Sequence, residues 1–192
     1  MASSSVWQQL QSASCWSQAR PEGVNRPELL PAEMTSVIDV AGFLTPSEEK
    51  VIQAEADGIE RDLGFKLRVL VQNYPETPGK AIAKYWGVDD RTIVLVADPT
   101  FGNILNFNIG TGVDLDVPRN FWNRLEGKYG NKFYWQQKGE ANSIMNAVSA
   151  IDTCLREEPG RLKCATVQGE LGEEATSGPY SVAAGKLFKG IP

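Results

Sequence analysis

The sequence predicts an α/β protein, a three-layer α/β/α sandwich built on a mixed sheet of four to five strands. Segments with the apolar pattern of strands alternate along the chain with segments whose apolar residues recur every three to four positions, as in helices. The 192 residues, 42% hydrophobic and 22% charged, suit one domain with a single large core.

The first half of the chain predicts strand, helix, strand and helix. The first helix has a clear start, because the Thr45 hydroxyl can cap it, Pro46 suits the first helical position, and Glu48 stands where a capping-box carboxylate reaches back. Gly64 is a stop signal. The predicted elements are a strand over 37–40, a helix over 45–64, a strand over 66–72 and a helix over 80–86.

The second half continues the alternation. The run Thr92 to Ala97 is almost entirely apolar, which is typical of a central strand buried on both faces. The last helix carries a core-facing stripe at helical spacing, formed by Ile144, Val148, Ile151 and Leu155. The predicted elements are strands over 92–97 and 103–109 and helices over 117–128 and 142–157.

The two ends of the chain are expected to lie outside the domain. We expect an irregular leader over 1–36, the domain over 37–157 and a weakly ordered tail over 158–192. The opening residues, MASSS, are rich in serine and free of acids, like the start of a chloroplast transit peptide, although no apolar signal segment follows. Cys154 and Cys164, with Pro-Gly between them, either close a small disulfide loop or remain separate thiols.

Composition excludes several classes of function. The formal net charge of −5 repels nucleic acid at long range, so we expect no nucleic-acid partner. No run reaches the roughly 18 apolar residues of a membrane-spanning helix, so we expect a soluble or peripheral protein. Histidine is absent, which removes imidazole metal ligands and Ser-His-Asp or Cys-His nucleophile pairs.

The stretch NFNIGTGVDLDVP, residues 106–118, pairs two glycines with two aspartates. It lacks the third glycine of a dinucleotide fingerprint, and Gly-Lys-Ser/Thr occurs nowhere in the chain, so both nucleotide interpretations fail. Carboxylate oxygens suit Ca²⁺ or Mg²⁺, which makes Asp114 a candidate ligand. Asp116 can instead cap the helix predicted to begin at Val117.

Other acidic residues fall at predicted strand ends, where α/β proteins tend to bind ligands. If Asp39, Asp90 and Asp114 converge in the fold, they form a cation site, because a bound cation relieves their mutual repulsion. The alternatives are a turn opened by Asp98 before Pro99 and a solvated loop over residues 89–91.

Three consecutive aromatic residues, Phe133, Tyr134 and Trp135, lie between the last two predicted helices. They cannot all face inward on one regular element, so we expect at least one to be exposed and available for a protein interface. Core packing is expected for the other two.

Several segments, in order and in approximate spacing, resemble the TPM domain family, and more closely its small plant and algal thylakoid-lumen members. The resemblance runs from Val37 to about Glu157 and implies the same α/β/α sandwich. The matching residues are VIDVAGFL at 37–44 for the family's V-x-D-x-A-G-x-L, YWGV at 85–88 for its W-G element, Asp90 for its acidic residue, and IGTGVD at 109–114 for its V-G-x-G-L-E.

The resemblance implies a thylakoid-lumen auxiliary protein of photosystem assembly or repair, photosystem II in particular, that binds photosystem subunits or other lumenal proteins. It places a Ca²⁺ site at Asp39, Asp90 and Asp114. We expect a monomer that is at most peripheral to the thylakoid membrane. A blander alternative is a chaperone-like or structural module that uses only its aromatic surface.

The resemblance also implies a rival activity, a metal-assisted acid phosphatase acting on phosphate monoesters. Two departures bear on it: Asn106 stands where the family often has an arginine, and Arg91-Thr92 stands where it commonly has Asn-Gly. Loss of that arginine removes a bidentate phosphate donor and weakens the phosphatase interpretation, although Arg91 could compensate.

Overall fold

A four-stranded mixed sheet with helices on both faces forms the centre of the protein, as described by a computed structural model for residues 25–168. The strands are β1 (Val37–Asp39), β2 (Lys66–Val71), β3 (Thr92–Ala97) and β4 (Leu105–Ile109). The α-helices in this part of the chain are α1 (Pro46–Leu63), α2 (Ala81–Trp86), α3 (Thr111–Asp116), α4 (Arg119–Leu125), α5 (Lys132–Lys138) and α6 (Glu140–Arg156). Short 3₁₀ turns cover Pro27–Leu29 and Pro99–Phe101, and a π-helical stretch covers Glu126–Gly130.

The strands lie in the sheet in the order in which they occur in the chain. β1, β2 and β3 are parallel, and β4 returns antiparallel to β3. Asp39 aligns with Val71, and Val71 aligns with Ala97, so these three residues mark the carboxyl end of the parallel strands. The other end of the sheet holds the start of β3 and the end of β4.

Helix α1 begins and ends as its sequence predicts. The Thr45 side chain accepts a hydrogen bond from the Glu48 amide, and the Glu48 carboxylate accepts one from the Thr45 amide at 2.7 Å. Gly64 ends the helix in the left-handed conformation, with φ +70°. A buried stripe of Ile52, Ala56 and Ile59 faces the sheet.

The helices cover the two faces of the sheet unequally. One face packs against α1, α4 and α6 and forms the larger core, which includes Leu67, Leu95 and Ile151. The other face packs against α2, where fully buried Trp86 meets Ile38, Leu70 and Val94. Helix α1 connects β1 to β2, and α2 connects β2 to β3, so both crossovers move across the sheet in the same direction. Because the two helices lie on opposite faces of the sheet, the two crossovers have opposite handedness.

The predicted α/β sandwich with a mixed sheet is confirmed, but two helical predictions need correction, and helix α5 (Lys132–Lys138) was not predicted. The predicted helix over 117–128 is not continuous, because Val117 is extended and α4 begins only after Pro118. Residues Thr111–Asp116, predicted as a loop, form helix α3. The glycines and aspartates there carry turn signals, but tertiary hydrogen bonds, described below, hold the backbone in a helix.

The segment after α6 is more ordered than its composition predicts. A disulfide joins Cys154 to Cys164 with their Cα atoms 4.9 Å apart, so the pairing that the sequence left open is present. Lys163 and Val167 are buried against the domain. Residues 158–168, which the sequence assigns to the tail, are thus attached to the domain at these positions, and the remainder of the tail, 169–192, lies outside the described residues.

The leader shows local order where it is described. Residues 25–36 include the 3₁₀ turn at Pro27–Leu29, and two carbonyls in this segment accept hydrogen bonds from α2: Glu33 from the Tyr85 hydroxyl, and Thr35 from the Trp86 indole at 2.7 Å. Residues 1–24 of the predicted leader lie outside the described residues. Within residues 25–168, no helix has the length and apolar character needed to cross a membrane.

Candidate functional site

The two glycines after β4 bring its end into direct contact with the turn that precedes β3. The carbonyl oxygen of Asp90 accepts hydrogen bonds from the Gly112 amide at 2.8 Å and from the Val113 amide at 3.3 Å. A Cβ atom on Gly110 would lie 2.3 Å from that same oxygen, closer than any real contact allows. The Gly-Thr-Gly sequence therefore serves close packing of two backbones.

The turn over residues 89–91 presents three charged side chains to solvent. Asp89 pairs with Lys66 at 2.6 Å, and this hydrogen bond, with a second from the Thr92 hydroxyl, lowers the pKa of Asp89 to about 2. No hydrogen bond or ion pair holds the carboxylate of Asp90 within residues 25–168, and this side chain points toward Gly112 with its Oδ2 3.5 Å from the position of a Gly112 Cβ. Asp90 is thus the acidic group of this turn that is free to meet a ligand.

Arg91 has a structural role that its sequence position did not reveal. Its Nε donates to the Gly64 carbonyl at 2.9 Å and its Nη2 to the Leu63 carbonyl at 3.0 Å, so the guanidinium caps the last carbonyls of α1. The group also lies over the Phe65 ring, 4.4 Å from its centroid. These contacts compete with any role for Arg91 as the missing phosphate donor.

The two aspartates of α3 are each paired with a cation. Asp114 Oδ2 accepts from Arg119 Nε at 2.9 Å and Nη2 at 2.5 Å, and Asp116 pairs with Lys163 at 2.5 Å. Asp116 does not cap α4, because the residue before that helix is Pro118 and makes no side-chain cap. The capping role predicted for Asp116 is therefore wrong.

The sheet separates Asp39 from Asp90 and Asp114. Asp39 ends β1 at the carboxyl end of the parallel strands, whereas Asp90 precedes β3 and Asp114 follows β4 at the other end. The intervening strand length corresponds to about 20 Å. Both carboxylate oxygens of Asp39 are also engaged, by the Gly42 amide at 2.7 Å and the Leu44 amide at 2.8 Å.

The condition for a cation site at all three aspartates is consequently not met. Ca²⁺ takes six to eight oxygen ligands, and one side chain at the far end of the sheet cannot contribute. Among residues 25–168, no three acidic or cysteine side chains are grouped as metal ligands. Asp90 and Asp114 lie at the same end of the sheet, and one oxygen of Asp114 is already bound to Arg119.

Asp98 serves the turn that its sequence indicates. It is 3% exposed, and its carboxylate accepts from the Thr100 amide at 3.0 Å and from the Gln72 side chain at 2.9 Å. It caps the 3₁₀ turn after β3. The turn interpretation of Asp98 is confirmed.

A groove with a volume of about 580 Å³ opens beside the Gly-Thr-Gly turn, between α3 and the disulfide-linked segment. Phe65 and Leu155 provide apolar lining, and Gly112 belongs to the same wall. Two leucines stand out from this part of the surface: Leu115, on the groove, is 91% exposed, and Leu162, next to Lys163, is 77% exposed. The Asp116–Lys163 ion pair connects the two elements that carry them.

Sequence reasoning missed this groove. The sequence shows a leucine between two aspartates at residues 114–116, but the groove beside it also involves Lys163, which lies 47 positions away and pairs with Asp116 from within the disulfide-closed loop. The signal available in the sequence was the cysteine pair. A disulfide between the two cysteines turns the chain back, but it does not show against which part of the domain the returning segment packs.

The aromatic triplet is divided as expected. Phe133 is 87% exposed on α5, whereas Tyr134 and Trp135 are partly buried. Trp135 donates its indole N–H to the Gly102 carbonyl at 3.0 Å, and Tyr134 packs edge-on against Tyr129 at 5.3 Å between ring centroids. The prediction that at least one of the three is exposed is confirmed.

Comparison with known proteins agrees with this architecture. Residues 37–154 match the sequence profile of the TPM domain. The N-terminal domain of a P. gingivalis protein, solved by solution NMR, superimposes with a TM-score of 0.56 at 20% sequence identity, over 68% of this chain and 90% of that one, and supports the fold. The chain belongs to the TPM domain family.

A plant relative gives a more particular placement. The chain is 66% identical over 146 residues to thylakoid lumenal 15.0 kDa protein 2, chloroplastic, of Arabidopsis thaliana. This match covers 76% of the chain and 66% of that relative's length. The protein is a chloroplast TPM-domain protein of the thylakoid lumen.

Proposed function

We propose that this protein is an auxiliary protein of the thylakoid lumen that binds protein subunits of a photosystem, photosystem II in particular, during assembly or repair. The groove beside the Gly-Thr-Gly turn is the surface that carries this proposal. Two leucine side chains are exposed by 91% and 77%, which is unusual for large apolar groups in water. Apolar side chains surrounded by ion pairs are typical of protein-binding sites.

The charges around the groove favour a protein partner over a small anion. Arg91, Arg156 and Lys163 line it, but each already makes hydrogen bonds within the domain: Arg91 to backbone carbonyls, Arg156 to Asp62 and Asp152, and Lys163 to Asp116. Acidic residues of the lining balance these cations. An apolar anchor with a mixed polar rim therefore suits the groove better than a phosphate does.

The direct test is co-fractionation of the full chain with photosystem complexes from solubilised thylakoids. We expect the wild-type chain to fractionate with a photosystem and the double variant Leu115→Asp/Leu162→Asp to lose most of that association, about tenfold or more. Met34→Asp is the matched control, because Met34 is 62% exposed on the segment that packs against α2, on the other face of the sheet. Equal recovery of all three proteins, or absence of the wild type from every photosystem fraction, would contradict the proposal.

Phosphate-ester hydrolysis is the second candidate function, and the free carboxylate of Asp90 is the observation that favours it. This group lies in solvent at the turn that contacts α3, where Arg119 supplies a guanidinium beside Asp114. Because the three predicted aspartates do not form one cation site, no metal-dependent step is assigned. Hydrolysis of p-nitrophenyl phosphate that disappears in Asp90→Asn would support the activity, and hydrolysis that persists unchanged in both Asp90→Asn and Asp114→Asn would remove it.

The proposed Ca²⁺ site is restricted to Asp90 and Asp114. Two carboxylates supply at most four of the oxygens that the ion prefers, and Arg119 competes for one of them. We therefore expect weak binding, and the docking function does not depend on it.

A further inference from the structure

Another cavity, of about 420 Å³, lies where α1 meets α6. Val51 and Ala54 give it an apolar wall, and Gly58 adds no side chain to it. The charged side chains that line it are Lys50, Glu55, Arg61 and Arg156. Neither the proposed docking nor the proposed hydrolysis uses this combination of an apolar wall, three cations and one carboxyl group.

Two guanidinium groups converge over Gly58. Arg156 Nη2 lies 3.6 Å and Arg61 Nη2 lies 3.7 Å from the position that a Cβ atom of Gly58 would occupy. Asp62 holds the two groups together, because it accepts a hydrogen bond from Arg61 Nε at 2.8 Å and one from Arg156 Nη1 at 3.1 Å. The two positive charges are therefore held at one place on the surface of α1.

Several N–H groups of this cluster are not used inside the domain. Arg156 donates from Nε to Asp152 and from Nη1 to Asp62, which leaves its Nη2 without an acceptor among residues 25–168. Arg61 Nη2 reaches its acceptor, Asp62 Oδ2, only at 3.4 Å. The Lys50 ammonium makes no hydrogen bond or ion pair with any residue that the structure describes. Positively charged donors that face one small volume suit an anion.

Glu55 determines the net charge of the cavity wall. Its Oε2 is buried and has no hydrogen-bond partner in the described part of the chain, and burial, followed by the charge of Asp152, raises its pKa to about 7. The charged groups that face it are Lys50 and Arg61 on its own helix, and Asp152 and Arg156 on α6. When Glu55 is neutral, the three cations outnumber the two aspartates that pair with them. When it is ionised, the charges balance.

We propose that this cavity binds a small organic carboxylate. The carboxylate accepts hydrogen bonds from the Nη2 groups of Arg61 and Arg156, and the Lys50 ammonium supplies a third positive charge beside it. The apolar part of the ligand lies on Val51 and Ala54, which removes apolar surface of both partners from water. An apolar wall with a few convergent polar groups is the usual composition of a small-molecule site.

A carboxylate matches the charge of this cavity better than a phosphate ester does. With Glu55 neutral, the cations exceed the paired aspartates by a single charge, and a carboxylate carries a single negative charge, whereas a phosphate monoester carries about two. Asp62 competes with the ligand for both guanidinium groups, and the Arg61 side chain is 74% exposed. Binding is consequently weak, with a Kd of about 1 mM for a short-chain acid such as hexanoate. The site does not depend on the docking function proposed above.

The test is titration of the isotope-labelled full chain with hexanoate at pH 6, followed by residue-resolved amide NMR. We expect the amides of Val51, Ala54 and Gly58 to shift with one common Kd. Acetate has the same charge without the apolar chain and should bind at least about fivefold more weakly. Hexylammonium has the same chain with the opposite charge and should not bind. Equal affinities for acetate and hexanoate, or shifts centred on another part of the protein, overturn the proposal.

The variant Arg61→Gln removes one of the two converging donors at an exposed position and should weaken hexanoate binding at least about fivefold. Arg161→Gln is the matched control, because it removes the same charge from an exposed turn outside the cavity, and its affinity should equal that of the wild type. An unchanged affinity in Arg61→Gln, or an equal loss in both variants, rejects the assignment of the carboxylate to the guanidinium pair.

Raising the pH from 6 to 8 should weaken hexanoate binding to the wild type by about three- to tenfold, because Glu55 becomes ionised while the ligand is ionised at both values. Glu55→Gln should bind hexanoate at pH 8 as tightly as the wild type does at pH 6. If the affinity falls equally with pH in the wild type and in Glu55→Gln, Glu55 does not control the charge of this cavity, and that part of the proposal is rejected.

Discussion

At the scale of single residues, Gly110 and Gly112 allow the close backbone contact at the centre of the candidate site. Their missing side chains let the end of β4 and the start of α3 lie against the Asp90 carbonyl, which accepts two amide hydrogen bonds there. The position of the Asp90 carboxylate relative to α3 depends on this backbone contact. A residue with no functional group thereby controls where a functional group lies.

Gly110→Ala should destabilise the protein by about 2–4 kcal/mol, because the added Cβ would meet backbone atoms of Asp90 at 2.3 and 2.5 Å and the strand must move. Urea unfolding followed by circular dichroism measures the effect. Gly127→Ala is the control, since nothing lies within 4 Å of its Cβ position, and its stability should change by less than about 1 kcal/mol. Equal stability of the two variants would show that the close approach is not needed.

The variant Asp39→Asn tests whether Asp39 has a structural role or belongs to the candidate site. An amide has one acceptor oxygen in place of two, so either the Gly42 or the Leu44 amide loses its partner, at a cost of about 1–2 kcal/mol in unfolding free energy. Calorimetric Ca²⁺ titration should give the same weak heat for Asp39→Asn as for the wild type and less for Asp114→Asn. A larger loss in Asp39→Asn would place the ion at the opposite end of the sheet.

At the scale of elements, Glu55 makes the packing of α1 against α6 sensitive to pH. It lies half-buried on α1, its Oε2 has no hydrogen-bond partner within residues 25–168, and burial, followed by the charge of Asp152 on α6, raises its pKa to about 7. Other charges nearby are Arg156 on α6 and Lys50 and Arg61 on α1. The protonated carboxyl is therefore the form that suits the native packing.

Because the native pKa of Glu55 exceeds its unfolded value of 4.5, the native state binds more protons between these two values, and stability rises as pH falls from 7 toward 4.5. Glu55→Gln should remove this dependence and stabilise the protein by about 1–2 kcal/mol at pH 8, a value reduced for solvent screening. Urea unfolding at pH 5 and pH 8 measures it. Glu158→Gln, at an exposed turn, is the control, and an unchanged pH dependence in Glu55→Gln would contradict the argument.

The elements that the sequence predicted well are those whose signals are local. The capping box at Thr45, the stop at Gly64 and the apolar run of β3 each depend on a few neighbouring residues, and each is found where the sequence places it. Helix α3 was missed because its backbone is held by Asp90, about 20 residues earlier in the chain.

The candidate site was less predictable than the fold for a geometric reason. Strand ends indicate where ligands collect, but the end at which a residue lies depends on strand direction, and β4 is antiparallel. Asp39 and Asp114 both follow strands, so the sequence places them in equivalent positions, while the sheet places them at opposite ends. Lys163 and Leu162 could not be placed without the disulfide.

The Cys154–Cys164 disulfide acts at the scale of the whole molecule, since it fixes one wall of the groove. Cys154→Ser/Cys164→Ser should lower the unfolding free energy by about 2–3 kcal/mol, as expected for closing a short loop. It should also weaken photosystem co-fractionation at temperatures where the domain stays folded, because Lys163 and Leu162 lose their positions. Cys15→Ser is the control and should behave as the wild type. Unchanged co-fractionation of the double variant with a photosystem would show that the groove does not require the disulfide.

The order of the strands has a consequence for how the protein acquires its structure. Each strand pairs with the strand that precedes it in the chain, so the sheet can grow by one neighbour at a time as a chain enters a compartment amino end first. The larger core closes only when α6 arrives to cover α1, and the disulfide can form only after that. Until then the sheet is complete but its larger core is open, so partners that arrive early encounter the protein before the groove exists.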